Sequence, residues 1–208
     1  MFPCTSTDRH GRATVPASVQ QIALLFTDLK GSTALYDRIG DLDAFSLVQQ
    51  HFERLQDVTT RHNGTIVKTI GDAVMAAFPD PTDAVLAALA MRAEIHAFGR
   101  GRPDRELVLK IGVHKGAAIA ATMNERLDYF GQTVNIAARV QRLAEADEIY
   151  VSEDIYEVEG VQAVLEPLAV EPKISKLRGL QQDLRVFRIA ARAAAAAERS
   201  SVPAEPNG

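Results

Sequence analysis

Residues 65–69 and 73–78 are two short apolar-rich runs set on either side of Gly71-Asp72. Runs of that length, split by a pair that favours tight turns, predict a β-hairpin. A hairpin makes at least part of the sheet antiparallel. Segments of helical period surround it. Phe45, Val48, Phe52, Leu55 and Val58 recur at steps of three and four, which predicts one apolar face within a mostly helical span over 31–62. His62-Asn63-Gly64 closes that span with a residue suited to left-handed backbone. Pro79-Asp80-Pro81-Thr82 breaks the chain, and Thr82 or Asp83 is expected to start a helix reaching about residue 98. Further strands are expected over 20–27, 107–113, 148–151 and 184–189, and a helix over 133–143. Residues 117–121 either continue the strand before them or form another. Hairpins mixed with helical crossovers predict the α+β class: an antiparallel or mixed sheet with helices on one face.

The 208 residues suit one domain with tails. Residues 1–18 read as a polar lead-in, 19–190 as the folded body, and 191–208 as an Ala-rich extension decaying into disorder. A net charge of −4 argues against a nucleic-acid surface, which should be basic. Cys4 is the single cysteine, so no disulfide framework is possible within the chain. The first residues lack a signal-peptide core, and no run approaches the ~20 apolar residues of a membrane span. A cytoplasmic location is expected. The lead-in is too short for a sensor, so a regulatory domain or protein would lie outside this chain.

Two carboxylates hold the first chemical signal. The apolar stretch Leu24-Leu25-Phe26 runs through Thr27 into Asp28, followed by Gly31, Ser32 and Thr33. Taken alone this is a strand end and a helix cap. It also fits a carboxylate holding a cation beside backbone N–H groups that hold phosphate. Asp72 at the hairpin tip, taken alone, is turn chemistry. If the hairpin lies beside the first strand, however, Asp28 and Asp72 meet at one edge and repel unless a cation sits between them. Mg²⁺ takes one or two protein carboxylates and completes its shell with phosphate oxygens.

Other signatures are absent. There is no GxxxxGK[ST] loop, and residues 112–116 lack the GxGxxG spacing. His114 reads as a structural strand residue with no zinc-ligand partner at suitable spacing. On the last predicted helix Asn135 and Arg139 are four apart and share a face among Val134, Ile136, Ala137, Ala138 and Val140. They are either a solvated pair or groups for a ribose and a phosphate, the latter matched by the arginine fork.

The stretches FTDLKGST, VKTIGDAVMAAF, LKIGVHKG and YFGQTVNIAARV occur in this order. Together they resemble the catalytic domain of the class III adenylate/guanylate cyclases, over about residues 20–189. The resemblance implies a ferredoxin-like, palm-type mixed sheet in a dimeric cyclase architecture. It implies conversion of ATP to 3′,5′-cyclic AMP and pyrophosphate, with two divalent cations (Mg²⁺ or Mn²⁺) on Asp28, the Leu29 carbonyl and Asp72. By the same resemblance Lys30, Gly31, Ser32 and Thr33 cradle the triphosphate, Asn135 positions the ribose, and Arg139 stabilises charge on the α-phosphate. Lys68 and Asp128 fall at the positions that read the purine, where Lys and Asp suit adenine. Arg178, in Leu177-Arg178-Gly179 after Lys176, is the candidate for the terminal phosphates. The sequence departs from the family where GDG is usual, reading Gly71-Asp72-Ala73. The resemblance further implies a homodimer with two active sites, each built from both chains. The other readings are a nucleotide-binding regulatory module with little turnover, or a cyclase for GTP or another triphosphate; the complete residue set, and Lys68 with Asp128, weigh against them.

Overall fold

A computed structural model of the chain describes residues 17–100, 107–123, 125–176 and 183–190. Its strands are β1 (Ala17–Leu29), β2 (Thr65–Ile70), β3 (Ala73–Phe78), β4 (Leu109–Met123), β5 (Arg126–Phe130), β6 (Ile149–Ser152), β7 (Val170–Ser175) and β8 (Leu184–Ile189). Its helices are α1 (Ser32–Ile39), α2 (Asp41–Arg61), α3 (Pro81–Gly99), α4 (Gln132–Arg142), α5 (Glu153–Tyr156) and α6 (Glu159–Leu165). The strands form one mixed sheet in the order β2-β3-β1-β4-β6-β8-β7, with β5 paired to the far half of β4. The β4–β6 pair is parallel and the others are antiparallel, which is the α+β arrangement expected.

The apolar run of β1 is buried on both faces, so it reads as continuous rather than alternating. Ala23, Leu25 and Leu29 join Leu55, Val58, Val85, Ala88 and Met91 in the larger core beneath α1, α2 and α3. Ile22, Leu24 and Phe26 face the other way, with Met75, Ala77 and Ala137. The helices thus pack mainly on one face, as expected, while α4 covers the opposite one. It comes so close because β4 presents glycine there. A Cβ on Gly112 would lie 2.2 Å from the Gln141 backbone nitrogen, and one on Gly116 would lie 2.8 Å from Thr133 Oγ1. Thr133 Oγ1 also donates to the Ala117 carbonyl at 2.5 Å. Between the two glycines His114 is buried, with Nδ1 2.8 Å from Ser152 Oγ, as befits a structural residue.

The structure resolves what the sequence left open and differs from it in places. The long helical span is broken at Gly40, whose φ of 82° suits glycine and separates α1 from α2. Phe45 lies on the predicted stripe but is exposed, because the buried face of α2 is centred on Ala44, Leu47, His51 and Leu55 and leaves Phe45 at its margin. The left-handed residue after α2 is Asn63, at φ 56°. Asp80 caps α3, accepting from the Thr82 amide at 2.7 Å, so the helix starts earlier than Thr82. Residues 117–121 continue β4. Strands β5 and β7 and helices α5 and α6 were not expected. Among the described residues no helix is long and apolar enough to cross a membrane.

Candidate active site

The hairpin β2–β3 lies directly beside β1, in antiparallel register from Ala23↔Phe78 to Thr27↔Val74. That register carries the Gly71-Asp72 tip to the end of β1 where Asp28 sits. Gly71 has φ 64°, so the two-residue turn needs glycine at that position. Burial pushes the Asp28 carboxyl up from its ordinary value, and the nearby Asp72 carboxylate pushes it further. Lys110, its register partner on β4, the Leu29 amide and Arg142 at the end of α4 pull in the other direction without reversing the shift. Asp72 Oδ2 is buried and has no hydrogen-bond partner. A buried carboxylate oxygen without a donor is costly. A cation between the two aspartates would satisfy it, so the residues present fit a divalent ion. Among the described residues no three His, Cys, Asp or Glu side chains gather to hold a metal. The protein thus offers two carboxylates, and the remaining ligands would be oxygens from elsewhere, the pattern of Mg²⁺ with a polyphosphate.

The turn after Asp28 opens α1. Gly31 stands at its N-terminus in left-handed backbone (φ 74°), and no side chain caps the first turn. The Lys30 amide already donates to the Val108 carbonyl at 2.9 Å. The N–H groups that could meet a phosphate at this end therefore begin at Gly31, in line with Ser32 and Thr33 as phosphate donors. Ser32, Thr33, Tyr36, Phe45, Phe52 and Asp72 border a cavity of about 510 Å³ between α1, α2 and the hairpin tip.

Lys68 and Asp128, sixty residues apart, are in contact. Lys68 Nζ donates to both carboxylate oxygens, at 2.7 and 2.9 Å, and the Tyr129 amide holds Oδ1 at 2.8 Å. They converge because β2 sits at the sheet edge and β5 folds back across the same face. Lys68, Ile22, Val67, Ala77, Leu127 and Tyr129 line a neighbouring cavity of about 480 Å³ with a largely apolar wall. That wall suits a flat ring with polar edges. It shares no lining residue with the cavity beside Asp72.

Asn135 and Arg139 lie on the side of α4 turned away from its buried residues Thr133, Ala137, Val140 and Gln141. Asn135 is exposed and Arg139 half-buried. Neither side chain has a hydrogen-bond or ion-pair partner among the described residues. The α4 cation that acts on Asp28 is Arg142 rather than Arg139. Arg142 and Lys110 were missed from the sequence; the pairing of β1 with β4 is the signal that would have found Lys110. Arg178 lies outside the described residues.

The adenylate and guanylate cyclase catalytic domain family matches residues 14–180. The chain belongs to that family. A relative named adenylate cyclase in Podospora anserina is 31% identical over 184 residues, covering 79% of this chain but 8% of that protein. The chain thus spans a small part of such relatives. Among solved structures, the adenylyl cyclase CyaB from P. aeruginosa superposes with a TM-score of 0.74 at 20% identity, over 85% of this chain and 97% of that one. The guanylyl cyclase Cya2 gives a TM-score of 0.75 at 18% identity, over 86% and 97%. At those identities the likeness of the cyclase structures is one of fold.

Proposed function

We propose that this domain is an adenylate cyclase, closing ATP to 3′,5′-cyclic AMP with release of pyrophosphate. The observation that carries the reading is the meeting of Asp28 and Asp72 at one sheet end, with the first carboxyl pushed up by burial and further by the second, and a buried oxygen of the second left without a donor. That is a site short of positive charge beside a helix N-terminus. Divalent cations, when bound to Asp28, Asp72 and the Leu29 carbonyl, would supply charge neutralisation of the triphosphate and acidify the ribose 3′-hydroxyl.

The chain's own groups do the rest. The amides from Gly31 to Thr33 hold the terminal phosphates. Asn135 fixes the ribose so that O3′ faces the α-phosphorus. O3′ forms the new P–O bond while the bond from the α-phosphorus to the bridging oxygen breaks. The hydroxyl proton is lost and pyrophosphate departs. Arg139 donates to the α-phosphate oxygens as charge builds on them, a role whose loss typically costs ~10²–10³ in rate. Lys68 and Asp128 read adenine, one donating to a ring nitrogen and the other accepting from the amino group. Guanine would put its carbonyl against an acceptor.

Two features support sites shared between two copies. In one chain the purine-side cavity and the carboxylate-side cavity are separate. Val19, Ile119 and Phe130, aligned across β1, β4 and β5, are all exposed, as are Met123 and Leu127. A two-fold dimer would cover that strip and bring Arg139 of one protomer to the aspartates of its partner. The regulatory input would come from a domain or protein outside this chain.

Incubation of the pure protein with ATP, GTP, CTP and UTP in turn, with Mn²⁺, tests the reading by product mass. Cyclic AMP from ATP alone is expected. Cyclic GMP from GTP at a comparable rate would overturn the substrate, and no cyclic product from any triphosphate would overturn the activity.

A further inference from the structure

The C-terminal half of α3 carries cations that the catalytic reading leaves unused. Leu89, Ala93, His96 and Arg100 follow one another at steps of four, three and four, so they share one side of the helix. That side does not pack flush. Leu86 and Leu89 stand opposite Val164 of α6 and Leu168 across a cavity of about 700 Å³. Small-molecule sites typically enclose ~300–1,000 Å³. Toward the end of α3 the same cavity is bordered by Arg92, His96, Arg100 and Asp147. A smaller cavity of about 140 Å³ shares His96 and Arg100 with it and extends to Leu107 and Val108, just before β4.

The charges at this end are unequally met. Arg92 Nη1 donates to the carbonyls of Ile189 and Ala190 at 3.2 and 3.0 Å, and to that of Asp147 at 3.4 Å. Those acceptors are neutral, so they fix the guanidinium without cancelling its charge. Asp147 takes left-handed backbone (φ 65°), uncommon for a residue with a side chain, and turns both its carbonyl and its carboxylate toward α3. Its Oδ1 meets His96 Nε2. Arg100 is exposed and has no hydrogen-bond or ion-pair partner among the described residues. Two guanidiniums therefore face one carboxylate. The helix C-terminus adds about half a negative charge, which still leaves this end positive.

We propose that the cavity binds a small amphipathic anion, with a carboxylate head on the Arg100 guanidinium beside His96 and a hydrocarbon body along Leu86, Leu89, Val164 and Leu168. An arginine fork matches a carboxylate. The apolar walls favour a chain or ring that leaves water. A neutral or cationic amphiphile leaves the excess positive charge unmet. Nothing in this assignment depends on the cyclase reading. The site nonetheless lies close to the catalytic end of the sheet. Val108 borders the smaller cavity, and its carbonyl accepts from the Lys30 amide at 2.9 Å, in the turn proposed to hold phosphate.

Sodium decanoate is the probe, with decanol and decyltrimethylammonium as its neutral and cationic counterparts. The ¹⁵N-labelled full chain is titrated with each and followed by its amide shifts. Decanoate should move the amides of Ala93, His96, Arg100 and Leu168 together and saturate with a Kd at or below about 1 mM, the level a ligand of that size reaches at ordinary efficiency. Arg100→Gln removes the charge at an exposed helix end and should weaken decanoate roughly tenfold or more without lowering the Tm. Ala93→Glu places a carboxylate in the cavity from an exposed position and should abolish binding, while Ala93→Gln, of equal size, should retain most of it. The absence of saturable shifts with decanoate overturns the proposal. Equal affinity for decanol, or undiminished affinity in Arg100→Gln, describes an apolar seam and overturns it too. In the ligand-free chain, concentration-dependent shifts of the same amides would give the cavity to a second copy. Nuclear Overhauser contacts from residues beyond 190 to Leu89 or Leu168 would give it to the chain's own end. Either result overturns the proposal.

Discussion

Removing the Lys68 ammonium separates a purine contact from an ordinary ion pair. In the free protein Lys68 Nζ lies 2.7 Å from Asp128 Oδ2, and the two side chains are 38% and 23% exposed. A pair that wet contributes at most ~1 kcal/mol to folding. For a domain of this size that is a Tm shift of about 2–4 °C. Asp128 also keeps the Tyr129 amide when the lysine is gone, so it is not left bare. Lys68→Ala should therefore leave a folded protein melting within a few degrees of wild type. The expected effect on ATP turnover is larger. A charge-assisted hydrogen bond to the purine ring is worth ~1.5–3 kcal/mol, or roughly 10- to 160-fold in kcat/KM. Lys68→Arg should retain the ion pair and the Tm yet lose most of the rate, because a planar fork cannot reproduce a single ammonium at one ring nitrogen. Cyclic AMP formation across ATP concentrations, with a thermal melt on the same samples, makes the comparison. A kcat/KM within about threefold of wild type in Lys68→Ala would show that the pair only ties β2 to β5.

Three further outcomes follow from the same geometry. Asp72→Ala and Arg139→Ala should each be nearly inactive, yet an equal mixture with free subunit exchange should regain about a quarter of wild-type activity, since half the dimers are mixed and each has one intact site; no recovery despite exchange places the site within one chain. Because Asp28 is raised in the folded state, cation-free protein binds more protons folded than unfolded, so this group's contribution falls as pH rises above its ordinary 3.8. Asp28→Asn should then gain Tm over wild type in EDTA at pH 7 relative to pH 4, and a pH-independent difference would contradict the upward shift that burial and Asp72 give the carboxyl. Gly112→Ala puts a Cβ 2.2 Å from backbone at Gln141, which cannot swing aside; overpacking of that kind should lower the Tm by roughly 2–12 °C and reduce turnover by displacing α4, and a wild-type melt would refute the tight seat.

What the sequence made legible was local. The hairpin tip could be read because Gly71 must take positive φ between two short runs. The meeting of Asp28 with Asp72 then needed only one further fact, that the hairpin pairs with β1. Strand β7 was illegible because Pro172 interrupts it and most of it is exposed, as an edge strand can be. Strand β5 exists through its pairing with the overhang of β4, a long-range contact that leaves little local pattern. The stripe on α2 had the right period, but it did not fix the centre of the buried face, which runs along Ala44, Leu47, His51 and Leu55 and leaves Phe45 exposed at its margin. Lys68 and Asp128 came from family resemblance alone, since their contact depends on the whole sheet order.

The end of β1 combines two like charges with an orphan carboxylate oxygen. Asparagine at 28 would relieve the repulsion, and local propensity would not oppose that change. Lys110 and Arg142 offset part of the repulsion without quenching it. Local rules broken together at one spot, with a ready remedy unused, mark a place held for binding rather than for folding. The chemistry of the unmet groups then names the missing component: two acceptors at one sheet end, beside helix donors, lack a cation and the anion that comes with it.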